Sequence, residues 1–545
     1  MKKILYIFLA LTVGLSSCKK WLDINDNPNS ANSTVPTPAQ RLPPLIAQFA
    51  DAYESAGTRA AFVSQQLAVT YSVNNNWNLT RWYSHESSAN WPWQAWYVNA
   101  AVNIDPLIEA AEEDGAYHYI GAAKVIKAWG FGALADFYGM MPYDEFNDPT
   151  TITPKFDDGS YIQEQILQLL DEAVADFQKT QETGAEPLSD GDILNGGNVD
   201  NWIRLAYGLK ARFLNHTSKL SSYDPQAVLD ALSKGPQTDE QSSLFQYVDE
   251  TPSTAWNKEA LQYSNTGTSA RITKLYYDYI ANNYTGAPTG ANDMEDPRID
   301  LLVPSSENAA GELVRTKPMD MQSDLPKTGP ANYTYNAGSN SFSNGDSVYV
   351  QMRKNPHTPG PDDRILSTGT WYTKRGAIGM LLTNAEMRFI EAEVKFGLGD
   401  AAGALAAYKA GIRSHMSIME VPSADIEAFL SSTSVVQNPA NLTLSHIMIQ
   451  KYIALSYSPE LWVDLRRMDF CTDAGGNYNE ASGIYKGFDR PSHVYTEAYP
   501  SGNDWPRRFA VPSYEINYNL ERVLEANPNA DKPTYLNLPI WWDQE

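Results

Sequence analysis

The stretch LTNAEMRFIEAEVKFGLGDAAGALAAYKAGIRSH, residues 382–415, predicts two consecutive helices joined by a tight turn. Thr383 and Glu386 have the spacing of a capping box, in which each side chain satisfies a free backbone N–H at a helix start. We therefore expect the first helix to begin near Asn384. Its apolar residues recur every three or four positions and predict one buried stripe, formed by Met387, Ile390, Val394 and Leu398.

Gly397–Asp400 ends the first helix, because glycine suits the left-handed turn after a helix and Asp400 can cap the next one. One side of the second helix carries Leu405, Tyr408 and Ile412. The small residues Ala402, Ala406 and Ala410 recur at a spacing of four, which predicts the close approach of a neighbouring helix. The pattern is typical of a tetratricopeptide-like hairpin that stacks on others of its kind.

Length and charge restrict the function. The chain has 545 residues, of which 41 are Lys or Arg and 65 are Asp or Glu, giving a net charge of −24. This balance argues against a nucleic-acid partner, since binding a polyanion needs clustered basic side chains. The chain also contains 14 Trp, 32 Tyr and 17 Phe, which favours a globular protein with structured loops.

The N-terminus has the pattern of an export signal. Lys2 and Lys3 precede an apolar run, residues 4–15, that is too short to span a bilayer. The small residues ahead of Cys18 resemble a bacterial lipobox, in which the Cys is acylated. We therefore predict lipidation at Cys18 and a mature protein that is anchored to a membrane but not embedded in it.

Helical periodicity recurs along much of the chain. Besides the hairpin, we expect helices near residues 39–67, 91–108, 117–138, 161–180, 201–220, 225–233, 444–456 and 460–469. The predicted fold class is mainly α, with about four tetratricopeptide-like pairs and a large loop-rich subdomain. The predicted division is a signal peptide at 1–17, a lipidated tether at 18–38 and a single body at 39–545, with helical repeats at about 39–236 and 381–470, a loop-rich insert at about 237–380 and an irregular C-terminal part at 471–545.

Residues 71–97 form the most aromatic window, in which rings alternate with Asn and Arg. Sugar rings stack on aromatic faces while their hydroxyls need fixed polar partners, so this composition favours a glycan-binding surface. The alternative is that many of these rings belong to the core. The predicted ligand-binding residues are Trp77, Arg81, Trp82 and Tyr83 from this window, with Trp256, Trp371 and Tyr372 from the insert.

Seven segments form a recognisable series: Cys18 with its lipobox, Asn-x-Asn-Pro-Asn at 25–29, Ala135–Tyr143, the hairpin 384–413, Glu460–Arg467, Arg507–Pro512 and Glu515–Asn519. Together they resemble the SusD-like (SusD/RagB) outer-membrane lipoproteins, and the start at 25–29 suggests the second SusD-like subfamily. Their order spans nearly the whole chain. The resemblance implies a cell-surface lipoprotein that captures oligosaccharide, or peptide in some members, and delivers it to a SusC-like TonB-dependent transporter. These motifs are largely structural and assign no ligand site.

We expect no catalysis, no cofactor and no metal ion. His85-Glu86 lacks the second His of a zinc-hydrolase helix, and neither a serine-hydrolase elbow nor a phosphate-binding glycine loop is present in the sequence. Carboxylates are plentiful, so an all-α glycoside hydrolase stays open as an alternative. A lipid-anchored scaffold that binds only proteins is a third possibility, although it leaves the Trp-rich loops unexplained.

Overall fold

The computed structural model describes residues 35–69, 75–84, 86–248, 270–307, 313–323, 334–336, 341–344, 347–348, 352, 367–374 and 376–544. Within these residues the protein is mainly helical, as predicted. The α-helices are α1 Pro38–Val63, α2 Asn75–Thr80, α3 Glu86–Gln94, α4 Ile104–Glu113, α5 Tyr117–Tyr138, α6 Gly159–Phe177, α7 Val199–His216, α8 Pro225–Lys234, α9 Lys274–Ile280, α10 Ile299–Leu302, α11 Asn384–Gly397, α12 Ala401–Ile418, α13 Ser423–Ser431, α14 Leu444–Ala454, α15 Glu460–Arg467, α16 Ser513–Tyr518 and α17 Leu520–Ala526.

Helix α5 lies at the centre of the N-terminal half and packs against α1, α4, α6 and α7. Two glycines allow this crowding. A methyl group at Gly130 would lie 2.0 Å from the Trp96 indole, and one at Gly132 would lie 2.4 Å from the Phe213 ring of α7. Because glycine leaves these spaces for rings, α5 is buried on nearly all sides.

The hairpin predicted at residues 382–415 is formed by α11 and α12. The Thr383 hydroxyl accepts from the Glu386 N–H at 3.2 Å, so the helix begins at Asn384 as predicted. Met387, Ile390 and Val394 are buried, but Leu398 is 54% exposed because it lies beyond the helix end.

The prediction for the small residues of α12 is wrong. Ala402 and Ala406 are exposed and Ala410 is half-buried. The face beside Leu405, Tyr408 and Ile412 carries Ala404, Ala407 and Gly411 inward instead. The large apolar side chains set the orientation of the helix, because burying them removes more apolar area from water than burying alanine does.

Helix α1 ends earlier than its periodicity predicts. The chain turns at Gln65, whose φ is 58°, and continues as strand β1 instead of extending the helix to Leu67. The predicted helix at 91–108 starts at Glu86. It passes through a π-helical turn, Ala95–Ala100, and a 3-10 turn, Ala101–Asn103, before α4.

The strands are short and pair in small antiparallel sheets. The strands are β1 Leu67–Val69, β2 Met140–Met141, β3 Asp157–Asp158, β4 Ser243–Phe245, β5 Ala270–Ile272, β6 Ser305–Glu307, β7 Leu313–Arg315, β8 Thr334–Asn336, β9 Ser341–Asn344, β10 Ser347–Val348 and β11 Gly379–Leu382. β1 pairs with β5, β2 with β3, β4 with β11, and β6 with β7, while β9 lies between β8 and β10. The β1–β5 and β4–β11 pairs fasten the described parts of the insert to the helical body.

Helix α15 is buried although half of its side chains are charged. Arg467 binds Glu393 of α11 at 2.7 Å and Asp464 at 2.6 Å, and Lys451 of α14 binds Asp464 at 2.8 Å. These pairs satisfy the charges inside the core and join three helices.

The C-terminal part packs onto the helices. Phe509 and Trp505 are buried, and the Phe509 N–H donates to the Phe137 carbonyl of α5 at 2.8 Å. The boundaries drawn within the body stay predictions. Among the described helices, none combines the length and the apolar character that a membrane crossing requires.

Candidate functional site

The turn after α2 separates the predicted ligand residues into inward and outward groups. Trp82 has a φ of 63°, and this left-handed turn directs its indole into the core. The indole is 1% exposed, donates to the Val63 carbonyl at 3.0 Å, and packs against Phe488 and Trp505. Trp82 therefore lacks the open face that a stacking role requires.

The neighbours of Trp82 lie at the surface and meet a residue from the C-terminal part. Tyr83 stacks on Tyr495 with ring centroids 4.0 Å apart and planes 22° apart, and the Arg81 guanidinium lies 4.9 Å from the Tyr495 ring centre. All three side chains are half-buried. We call Arg81, Tyr83 and Tyr495 the aromatic platform.

Backbone and side-chain hydrogen bonds hold the platform. The Tyr495 N–H donates to the Arg81 carbonyl at 2.9 Å, and the Tyr495 hydroxyl donates to Glu497 at 2.6 Å. The Arg81 guanidinium makes no hydrogen bond to any described residue. Its Nε is buried and has no hydrogen-bond partner among those residues.

The other predicted ligand residues take different positions. The backbone of Trp77 belongs to α2, but its side chain lies outside the described residues, and so does the whole of Trp256. Trp371 and Tyr372 form a 3-10 turn and are only 5% and 6% exposed. The Tyr372 hydroxyl lies 3.3 Å from His415 Nε2, and its ring packs against Tyr457, so these two rings are part of the core.

A cleft of about 600 Å³ is lined by three segments. They are α9 with the turn that follows it, residues 320–322, and residues 478–489. Tyr284 and Tyr478 contribute rings to its wall, and Tyr478 is 38% exposed. The charged side chains that line the cleft are Lys274, Asp278, Asp320, Glu480, Lys486 and Asp489, and its neutral polar side chains include Asn283, Thr285 and Gln322.

Hydrogen bonds across the cleft fix its acidic side chains. The Thr285 hydroxyl donates to Glu480 Oε2 at 2.6 Å, and the Tyr478 hydroxyl donates to Oε1 at 2.8 Å. The Thr285 bond in particular holds the pKa of Glu480 below its usual value. Asp278 forms an ion pair with Lys274 and accepts from the Asn283 amide at 3.1 Å.

One segment, residues 487–495, borders both the cleft and the aromatic platform. Gly487 and Asp489 line the cleft, and Tyr495 belongs to the platform. Between them, Phe488 stacks on Trp82 with ring centroids 5.9 Å apart. Trp82 thus supports the segment that forms the site from behind.

None of the residues that line the cleft is among the ligand-binding residues predicted from the sequence. The signal available was the aromatic, Gly-rich composition of the C-terminal part, which includes Tyr478 and Tyr495. Sequence alone could not pair that part with α9, because the partners Thr285 and Glu480 are 195 positions apart.

A second charged cluster, Asp136, His216 and Glu460, has the residue types of a metal site but is an ion-pair network. His216 Nδ1 lies 3.1 Å from Asp136, and Nε2 lies 2.9 Å from Glu460. Burial lowers the pKa of His216, but the two carboxylates outweigh burial and raise it to about 9. A protonated imidazole has no lone pair to offer a metal ion.

Comparison with known proteins gives one family and one fold. A family model described as SusD-like, "Starch-binding associating with outer membrane", matches residues 28–481. No curated protein matched the sequence. Solved structures that share the fold include a SusD/RagB family protein from Bacteroides thetaiotaomicron, with 21% identity, a TM-score of 0.66 and coverage of 93% of this chain and 99% of that one.

Two further structures are similar over the same length. A chitin-binding protein has 17% identity and a TM-score of 0.68, with 93% of this chain and 100% of that chain covered. A Bacteroidetes SusD-like protein has 19% identity and a TM-score of 0.66, with 94% and 100% covered.

Proposed function

Because this chain belongs to the SusD-like family of starch-binding, outer-membrane-associated proteins, we propose that it binds oligosaccharide nutrients at the cell surface. It then delivers them to a SusC-like TonB-dependent transporter. The aromatic platform and the cleft are the proposed glycan site, and Trp77 is its proposed neighbour on α2.

The observation that carries this proposal is the pairing of two half-buried stacked rings with a guanidinium that makes no hydrogen bond to a described residue, together with a polar cleft of about 600 Å³. Rings accept the C–H face of a sugar, and carboxylates, amides and hydroxyls accept or donate to its hydroxyl groups. Segment 487–495 contributes to both parts, and we propose that one extended ligand contacts both.

The proposed role is binding without hydrolysis. A glycosidase needs one carboxyl group with a raised pKa as the acid and another as the base or nucleophile. In the cleft, Glu480 has a lowered pKa and Asp278 is paired with Lys274, whereas burial raises the pKa of Asp489. The proposal of binding without hydrolysis is therefore supported by the family match and is tested by a hydrolysis assay. A glycan panel that yields no new reducing ends on incubation with the protein is the expected result.

The proposed anchor is Cys18 and the proposed tether is residues 18–38, of which 18–34 lie outside the described residues. Metabolic labelling with a clickable fatty acid is expected to mark the wild type and leave the Cys18→Ala variant unmarked.

The binding test uses affinity gels that contain starch-type or chitin-type glycans. Tyr83→Ala and Tyr495→Ala are each expected to weaken retention about three- to tenfold, because one stacking partner contributes about 0.5–1.5 kcal/mol. Tyr518→Ala is the matched control, since Tyr518 is 82% exposed and lies on α16. Equal retention of all three variants would remove the aromatic platform from the site.

A further inference from the structure

We propose that the cleft selects oligosaccharides by charge: it binds amino sugars most tightly, neutral sugars less tightly, and rejects sugars that carry carboxylates. This inference rests on the proposed function and names the class of ligand that the same site prefers.

The wall of the cleft carries more negative than positive side chains. Four carboxylates, from Asp278, Asp320, Glu480 and Asp489, face two ammonium groups, from Lys274 and Lys486. The cleft therefore carries an excess of negative charge, as does the whole chain, whose net charge is −24. A concave wall of low dielectric strengthens the potential inside such a cleft.

Both lysines of the cleft already have partners within the protein. Lys274 forms an ion pair with Asp278, four positions later on α9. Lys486 donates to the main-chain carbonyl of Glu480 at 2.5 Å and lies near the carboxylate of the same residue. Neither ammonium group is left as an uncompensated partner for a sugar carboxylate.

Two carboxylates of the cleft, those of Asp320 and Asp489, form no ion pair with a described residue. Asp320 accepts from the Gln322 N–H at 3.0 Å and Asp489 accepts from the Arg490 N–H at 2.7 Å, but neither forms a salt bridge with a described residue. Residues 321 and 492 are joined by a main-chain hydrogen bond of 2.8 Å, so the two acidic turns belong to one wall.

The environment of Asp489 also favours a ligand ammonium group over a ligand carboxylate. It is half-buried, and burial raises the pKa of its carboxyl above the usual value. A ligand ammonium beside this carboxylate would replace lost solvation, whereas a second carboxylate would add repulsion.

The test compares tetrasaccharides of equal length by titration calorimetry: glucosamine, N-acetylglucosamine, maltose-type glucose and galacturonic acid oligomers. The measurement is made where the glucosamine amine is protonated. The expected order is amine tighter than the neutral oligomers, with the acid oligomer at least tenfold weaker than the neutral ones. Added salt should weaken the binding of the amine-bearing oligomer only, because salt screens the attraction between its ammonium groups and the carboxylates of the cleft.

The variant Asp320→Asn/Asp489→Asn should bring the amine and acid oligomers closer together in affinity, since it removes two charges and keeps the shape. Glu112→Gln/Glu113→Gln is the matched control, because it removes two exposed charges on α4. Acid and neutral oligomers binding equally, or a control that acts like the cleft variant, would overturn the charge selection alone. Binding of no oligomer of any charge would overturn both this inference and the proposed function.

Discussion

His216 shows how a single buried charge can join distant parts of the chain. It lies at the end of α7, between Asp136 of α5 and Glu460 of α15. Asp136 in turn accepts from the indole N–H of Trp542 at 2.7 Å. The imidazole is charged in the folded protein, because the two carboxylates more than offset the cost of burial.

The free energy of unfolding should therefore fall with rising pH between 6.5 and about 9. The pKa of His216 rises from the usual 6.5 to about 9 on folding, so the folded state holds a proton that the unfolded state has lost. This stabilisation is complete below pH 6.5, is lost as pH rises through 9, and amounts to about 3 kcal/mol.

Urea denaturation of the wild type and of His216→Gln over this range measures the effect. The variant is expected to be less stable near neutral pH and to show a flatter pH profile. A wild-type stability that is constant from pH 6.5 to 9 would show that His216 is not protonated in the fold.

At the scale of elements, close approach decides how the hairpin α11–α12 packs. A methyl group at Gly411 of α12 would lie 2.8 Å from the Phe389 ring of α11. The Phe389 ring therefore packs against α12 at a position that has no side chain. At Gly397, the last residue of α11, the same added methyl group would meet no atom within 4 Å.

Gly411→Ala should lower the free energy of unfolding by about 1–3 kcal/mol, because the Phe389 ring must move in a packed core. Gly397→Ala in the same hairpin should be neutral or stabilising by up to about 1 kcal/mol, since alanine favours a helix and the space is open. Thermal and urea unfolding of both variants make the comparison. Equal stability of the two variants would contradict the close packing at Gly411.

On the scale of the whole molecule, the last residues close the fold. Ile540 and Trp542 are buried against Val463 of α15. Asp543 binds Arg507 at 2.7 Å and Lys219 at 2.9 Å. The guanidinium of Arg466 lies 4.7 Å from the Trp542 ring centre and donates to the Asp136 carbonyl. Residues 540–543 thus cover the buried charged side chains of α5, α7 and α15.

A chain that ends after Pro539 should be less stable by about 3–5 kcal/mol, because the loss of Trp542 leaves a cavity and the loss of Asp543 leaves Lys219 and Arg507 with Asp469 as their shared ion-pair partner. A chain that ends after Asp543 is the control and should unfold like the full chain, since Gln544 is exposed. Differential scanning calorimetry measures both. A normal melting temperature for the shorter chain would mean that this end adds nothing to the fold.

The sequence by itself determined the family resemblance and the local helical pattern. Caps such as Thr383, turn residues such as Gly399, and apolar spacing act over a few residues, so they can be read without a structure. The sequence also indicated that aromatic side chains near 81–83 matter for function, and Arg81 and Tyr83 belong to the platform that we propose binds glycans.

Only the tertiary structure decided which rings face water and which residues form the cleft. Trp82, Trp371 and Tyr372 are buried because partners far along the chain, such as Phe488 and Tyr457, cover them. Tyr495 completes the platform, and Glu480 meets Thr285, only after the C-terminal part folds back. Composition marks a residue as able to stack or to bind, but its exposure depends on neighbours that the local sequence does not specify.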